Sequence, residues 1–242
     1  LGFDTVLTAP PFRRMAESLF STVDYDALDP ALGLEGGAEE ALAGLATEAE
    51  SRGISFMLDL AIGAGVANDD ARLLSLDPRR SPLMPLVGSP PSGDVEASQA
   101  RLLRLAAAGI SGYRVIGLDR LAAGQWQQLI AGARAANAAT RFLAYTPGTD
   151  FGLRNGLRAC GFDATFTSLA WWDLRESWFI EEYRLQHGLA PQIAFPEAPF
   201  ARRLAHGTES REIRERRSRR ALRLAAEIGD CLLVPMGFEF GA

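Results

Sequence analysis

Seven short apolar runs alternate along this chain with segments of helical period. No other feature narrows the fold as much. Parallel strands need a crossover between neighbours and helices supply it, so repeated strand–helix units imply a parallel sheet covered by helices. The runs are Phe3–Ala9, Ile54–Ile62, Gly112–Ile116, Arg141–Tyr145, Phe162–Leu169, Gln192–Phe195 and Cys231–Met236. Helices are predicted over Glu39–Arg52, residues 95–108, Gln125–Ala136, Phe151–Cys160, Leu174–His187 and Arg211–Ile228. Residues 12–36 read as loop. Residues 63–93, rich in Gly, Pro, Ser and Asp, read as a loop excursion within one domain.

Two runs carry a charge inside an apolar stretch. Ile54–Ile62 contains Asp59, and Gly112–Ile116 contains Arg114. A desolvated, unpaired charge is very costly, so each needs a partner or a watery pocket. The two strands are neighbours in a sequential sheet, which makes Asp59 and Arg114 natural partners. Gly109 ends the preceding helix, since glycine accepts the left-handed turn after a last helical residue.

The 242 residues make one large domain, and 48% hydrophobic with 23% charged suits a soluble globular chain. No apolar run is long enough to span a bilayer, and no signal peptide is visible. The start at Leu1 and the stop at Ala242 both fall mid-pattern, as cuts from a longer chain would. The net charge of −5 argues against a nucleic-acid partner. All 25 basic residues are arginine, which reflects base composition more than chemistry. Cys160 and Cys231 sit in apolar or helix-end settings, fitting packed thiols in a reduced, cytoplasmic compartment. The two histidines, His187 and His206, are not paired on a helix, which argues against a zinc site. No cofactor motif is present, and no Gly-x-Gly-x-x-Gly follows a strand, so a dinucleotide-binding sheet lacks support. The α/β choice lies between an open doubly wound sheet and an eight-stranded (β/α)8 TIM barrel, and the barrel places one strand before Leu1.

Several motifs resemble the α-amylase superfamily, glycoside hydrolase family 13. Gly112-Tyr113-Arg114-Val115 is similar to its fourth barrel strand. Asp24-Tyr25-Asp26-Ala27-Leu28-Asp29-Pro30-Ala31-Leu32-Gly33 resembles its loop after the second strand. Gly53 through Asp59 resembles the third strand, and Gly237-Phe238-Glu239-Phe240-Gly241 the Gly-x-Glu eighth. Within the superfamily the likeness runs furthest toward the α-1,4-glucan:maltose-1-phosphate maltosyltransferases. Leu58-Asp59-Leu60-Ala61-Ile62, Arg141-Phe142-Leu143-Ala144, and Leu157 through Phe162 followed by Trp171 carry it.

The departures fall on the chemistry. In the family, a nucleophilic Asp, an acid Glu and a third Asp do the work. The resemblance puts Ile116, Tyr145 and Pro199 at those positions. Retaining glycosyl transfer needs two carboxyl groups about 5 Å apart, one to attack and one to donate a proton. The expectation is therefore a degenerate, non-catalytic module of an α-glucan-metabolising protein, scaffolding or binding α-glucan. The alternative is an active maltosyltransferase or hydrolase with relocated carboxylates. Asp119, Asp150, Glu197 and Glu239 are the candidates for that role, weighed against solvated loop charges or helix caps.

The substrate-binding candidates are Asp59, Arg114, Trp171, Trp172 and Glu239. The two tryptophans offer flat faces to a sugar ring or fill space among other aromatics. Trp126 and Trp178 lie on predicted helices and read as packing residues. The arginine run from Arg202 to Arg223, interleaved with Glu209, Glu212 and Glu215, reads as an exposed helix laced with i,i+4 pairs. An adjacent domain of the same polypeptide would suit that face; the partners expected for the chain are that domain or a homodimer, with α-glucan or a maltooligosaccharide as ligand.

Overall fold

The structure is a computed structural model and describes residues 2–14, 22–34, 36–61, 93–199, 201–206 and 210–240. The chain forms two compact units. The first holds the described residues within Leu1–Asp70, Pro85–Tyr145 and Gly156–Phe162, and the second those within Ala71–Met84, Thr146–Asn155 and Asp163–Ala242.

The first unit opens with strand β1, Thr5–Thr8. An antiparallel ribbon follows, β2 at Phe12–Arg14 and β3 at Thr22–Leu28. This corrects the loop expected over 12–36. Val23, Tyr25 and Ala27 alternate with Asp24 and Asp26, a period of two that the acidic composition obscures. Tyr25 packs on Phe12, with ring centres 5.0 Å apart. Beyond the ribbon, Asp29 accepts from the Ala31 N–H at 2.9 Å and opens a short 3-10 turn, while Arg14 pairs with the same carboxylate. The Ala31 N–H, then Arg14, hold the Asp29 carboxyl below its usual value, with burial working the other way.

Helix α1, Ala38–Ser51, carries Glu39 and Glu40 in its first turn, where the helix dipole favours acids. Ala38, Leu42 and Ala46 are its buried face. Strand β4, Ser55–Ala61, is buried from Phe56 to Leu60, as expected of a strand covered on both faces. The predicted excursion over 63–93 lies outside the described residues, except that Gly93 begins helix α2, Gly93–Ala107. Gly109 then takes φ +90°, ending α2 as expected, with its Cα packed against Ala46 so closely that a Cβ would stand 2.8 Å from that methyl.

Strand β5, Gly112–Ile116, is buried throughout. Helix α3, Ala123–Ala136, buries Trp126, Leu129, Ile130 and Ala133. Strand β6, Arg141–Ala144, follows, and the 3-10 turn Leu157–Ala159 completes the unit. The four strands run parallel in the order β1-β4-β5-β6, with Leu7 opposite Met57, Met57 opposite Gly112, and Gly112 opposite Arg141. At Gly112 a Cβ would lie 2.5 Å from the Arg141 carbonyl oxygen and 2.6 Å from Met57 Cε. Backbone cannot step aside as a side chain can, so Gly112→Ala should cost about 1–3 kcal/mol, as overpacking does. Denaturant unfolding at unchanged m-value is the check.

The second unit contains helix α4 (Phe151–Gly156, all but its last residue), β7 (Ala164–Phe166), α5 (Trp178–Gln186), β8 (Gln192–Ala194), α6 (Arg211–Ile228) and β9 (Cys231–Leu232). Its three strands are parallel, with Thr165 opposite Gln192 and Ile193 opposite Cys231. The strands predicted over Phe162–Leu169 and Cys231–Met236 are shorter than expected. Each runs instead into a 3-10 turn, at Leu169–Trp171 and Phe238–Phe240. Leu169, Phe179, Ala194 and Ala225 form the core, joined by Trp172, Trp178 and Leu224. Cys160 is buried and donates to the Ala123 carbonyl at 3.2 Å, but Cys231 is exposed, against the packed thiol expected. The edge position of β9 explains this. Among the described residues, no helix is long and apolar enough to cross a membrane.

Candidate functional site

The register of β4 on β5 sets Asp59 beside Arg114. Their side chains point to the same face and meet in a bidentate pair. Arg114 Nε donates to Asp59 Oδ1 at 2.6 Å and the terminal nitrogen to Oδ2 at 2.7 Å. Both are removed from water, with side-chain exposures of 5% for Arg114 and 0% for Asp59. Fork-to-fork pairing of this kind is the strong form of a charge-assisted hydrogen bond. Burial pushes the Asp59 carboxyl up. Burial also draws the Arg114 guanidinium down, but Asp59 more than offsets that and leaves it raised. The second direction agrees with the geometry, in which each carboxylate oxygen takes a donor, as an ionised pair requires.

Tyr145 follows β6 directly and is buried. The Arg114 guanidinium lies 5.7 Å from its ring centre, within cation–π range. Burial pushes the Tyr145 phenol far above its ordinary value, opposed by Arg114 and aided by Asp59. Tyr113 is shifted upward by burial as well. For an acid raised in the folded state, the stabilisation from staying neutral is fully present below the unfolded value near pH 10 and is lost as pH rises. Tyrosinate absorbance from these two residues should therefore appear only with alkaline unfolding. Tyr145→Phe should remove one unit of that late absorbance and leave the rest.

Ile116 is the last residue of β5, buried opposite Ala61. Asp119 lies three residues on, half-buried in the 3-10 turn Leu118–Arg120. Trp126 fastens that turn by donating from Nε1 to the Leu118 carbonyl at 2.9 Å. Asp59 and Arg114 are thus paired, with the Tyr145 ring beside the guanidinium, all within one unit.

The other predicted residues belong to the second unit. Trp171 is half-buried and meets Phe195 edge-on, 5.6 Å between centres. Trp172 stacks on Phe179 at 4.9 Å and donates from Nε1 to the Glu176 carbonyl at 2.8 Å. One face of Trp172 is therefore occupied by the core. Asp150 accepts from the Leu153 N–H at 2.9 Å, a cap on α4. Pro199 is buried, and Glu239 is exposed in the turn after β9.

Glu197 is neither a solvated loop charge nor a helix cap. It is buried, pairs with Arg203 at 2.8 Å and accepts from the Leu204 N–H at 2.9 Å. Arg203 also donates to the Met236 carbonyl at 2.8 Å, tying the loop after β8 to the loop after β9. Sequence reading also missed the group around Arg154, which donates from Nε to Thr149 Oγ1 at 2.8 Å and lies 3.7 Å from Glu182. Glu182 in turn accepts from the Ser168 N–H at 3.3 Å. The partners lie on separate elements, so no local spacing announces them.

Two kinds of comparison bear on this arrangement. No protein-family model matches the chain. Among solved structures, Amy13B of Eubacterium rectale superposes with a TM-score of 0.69 at 12% identity, over 99% of this chain and 59% of that one. An α-amylase of Geobacillus thermoleovorans complexed with acarbose gives 0.66 at 13%, over 100% and 62%. The debranching enzyme of Nostoc punctiforme gives 0.65 at 17%, over 99% and 62%. The chain shares the fold of these three enzymes. By sequence, the chain is 43% identical over 159 residues to an α-1,4-glucan:maltose-1-phosphate maltosyltransferase of Burkholderia pseudomallei (strain K96243). That match takes in 64% of this chain and 14% of the relative, so the chain spans a small part of the curated protein it matches. The amylase-type barrel and the maltosyltransferase relationship expected from sequence both hold.

Proposed function

We propose that this amylase-type barrel is a non-catalytic module of a cytoplasmic α-glucan-metabolising protein, holding an α-glucan chain or serving as a scaffold for a neighbouring domain. What supports the reading most is the sealed state of Asp59. Its two oxygens are both taken by Arg114 and its side chain is shut from water. A carboxylate so engaged can neither attack an anomeric carbon nor donate a proton. The family's working positions fall at Ile116, Tyr145 and Pro199. The first and last have no ionisable group, and the buried phenol stays protonated at neutral pH. Retaining chemistry needs a carboxyl pair about 5 Å apart, and neither member is supplied by these positions.

Binding does not need those positions. Trp171 and Trp172 are the aromatic candidates, and Glu239, exposed in the same unit, the polar one. Titration with maltooligosaccharides, followed by tryptophan fluorescence, tests this. A saturable change that is lost in Trp171→Ala supports glucan binding, and no change at millimolar sugar leaves the scaffold role alone. Chromatography of glycogen incubated with the chain should show no new products. Cleavage products that vanish in Glu239→Gln would contradict the reading.

A further inference from the structure

The outward face of α6 carries Arg216, Arg219, Arg220 and Arg223, spaced i, i+3, i+4 and i+7, which puts them in one stripe. All four are exposed, opposite the buried Ala225. Glu215 is shared by Arg211 at 2.7 Å and Arg219 at 3.4 Å, so its charge is already engaged. Among the described residues, no carboxylate pairs with Arg216, Arg220 or Arg223. Like charges at these spacings repel one another, so the isolated helix is strained electrostatically and an opposing anion relieves it. Glu212 and Glu227 bracket the stripe and limit it to about 10 Å, two turns of helix. The chain as a whole carries −5, which opposes approach of a long polyanion. A short acidic surface suits the stripe better than a continuous phosphate strand.

The same chain carries such a surface. Helix α1 has four glutamates, Glu39, Glu40, Glu48 and Glu50, all exposed, and no basic residue. Glu39 and Glu48 meet Arg104 and Arg52. Among the described residues, Glu40 and Glu50 have no basic partner. We propose that the arginine stripe of α6 docks on the acidic helix α1 of a second copy of this chain. The two faces differ, so the contact is head-to-tail and each copy keeps one face free to continue the assembly. It does not depend on whether the chain binds α-glucan.

Sedimentation of the full chain tests this. At about 50 mM salt the weight-average mass should rise with concentration to at least double the 26.1 kDa of one copy, and at about 500 mM it should fall back to one copy as screening shortens. Arg216→Glu/Arg220→Glu/Arg223→Glu and, separately, Glu40→Arg/Glu50→Arg should each remain single copies at low salt. A one-to-one mixture of the two should associate again, because it restores one unaltered contact. Circular dichroism confirms that each is folded, and the milder Arg216→Gln/Arg220→Gln/Arg223→Gln should lose association too. A wild-type chain that stays single at low salt, a stripe variant that associates as wild type, or a mixture that stays single overturns the proposal. So does binding of a short DNA duplex to the stripe while the chain remains a single copy.

Discussion

Arg114→Ala should lower stability by about 3–5 kcal/mol, because it leaves the Asp59 carboxylate buried with no partner. For a chain of this size that corresponds to a fall in Tm of roughly 6–20 °C. The effect comes from stranding a charge, not from the worth of the pair itself. The double variant Asp59→Leu/Arg114→Met should therefore recover most of the loss, since apolar residues of similar volume replace buried ion pairs at little cost. Thermal and denaturant unfolding of the three variants form a double-mutant cycle. If Arg114→Ala unfolds within about 1 kcal/mol of wild type, water reaches Asp59 and the site is not sealed.

The second large effect is expected at Trp126. Its side chain is fully buried, its ring packs on Phe162 at 5.7 Å and its Nε1–H holds the Leu118 carbonyl. Trp126→Ala should cost about 3–5 kcal/mol, the range for emptying a large aromatic site. Trp126→Phe keeps much of the packing and should lose about 0.5–1.5 kcal/mol with the hydrogen bond. Hydrogen exchange should rise in the turn Leu118–Arg120 in both variants. A Trp126→Ala variant as stable as wild type would mean that α3 is held by other contacts.

The strand pairing that builds the site was legible from the chain alone. One acid in one apolar run and one base in the next predicted partners, and the register delivered them two short hydrogen bonds apart. The end of α2 was legible too, because Gly109 takes the left-handed φ that closes a helix. The ribbon at 12–28 was not, since its outward residues are acidic and its strands are short. Glu197 was misread for a different reason. Its burial depends on Arg203 folding back across a loop, and a six-residue separation in sequence carries no such information. Helix α6, by contrast, showed its i,i+4 pairs in the sequence, and Arg211–Glu215–Arg219 forms as expected, though Glu209 lies outside the described residues.

The most direct measurement is phosphate release from maltose 1-phosphate in the presence of glycogen. The chain should release no more than a protein-free blank, and the sugar phosphate should be recovered intact. Steady release that a single substitution, Asp119→Asn or Glu239→Gln, abolishes would show a working carboxylate and contradict the account.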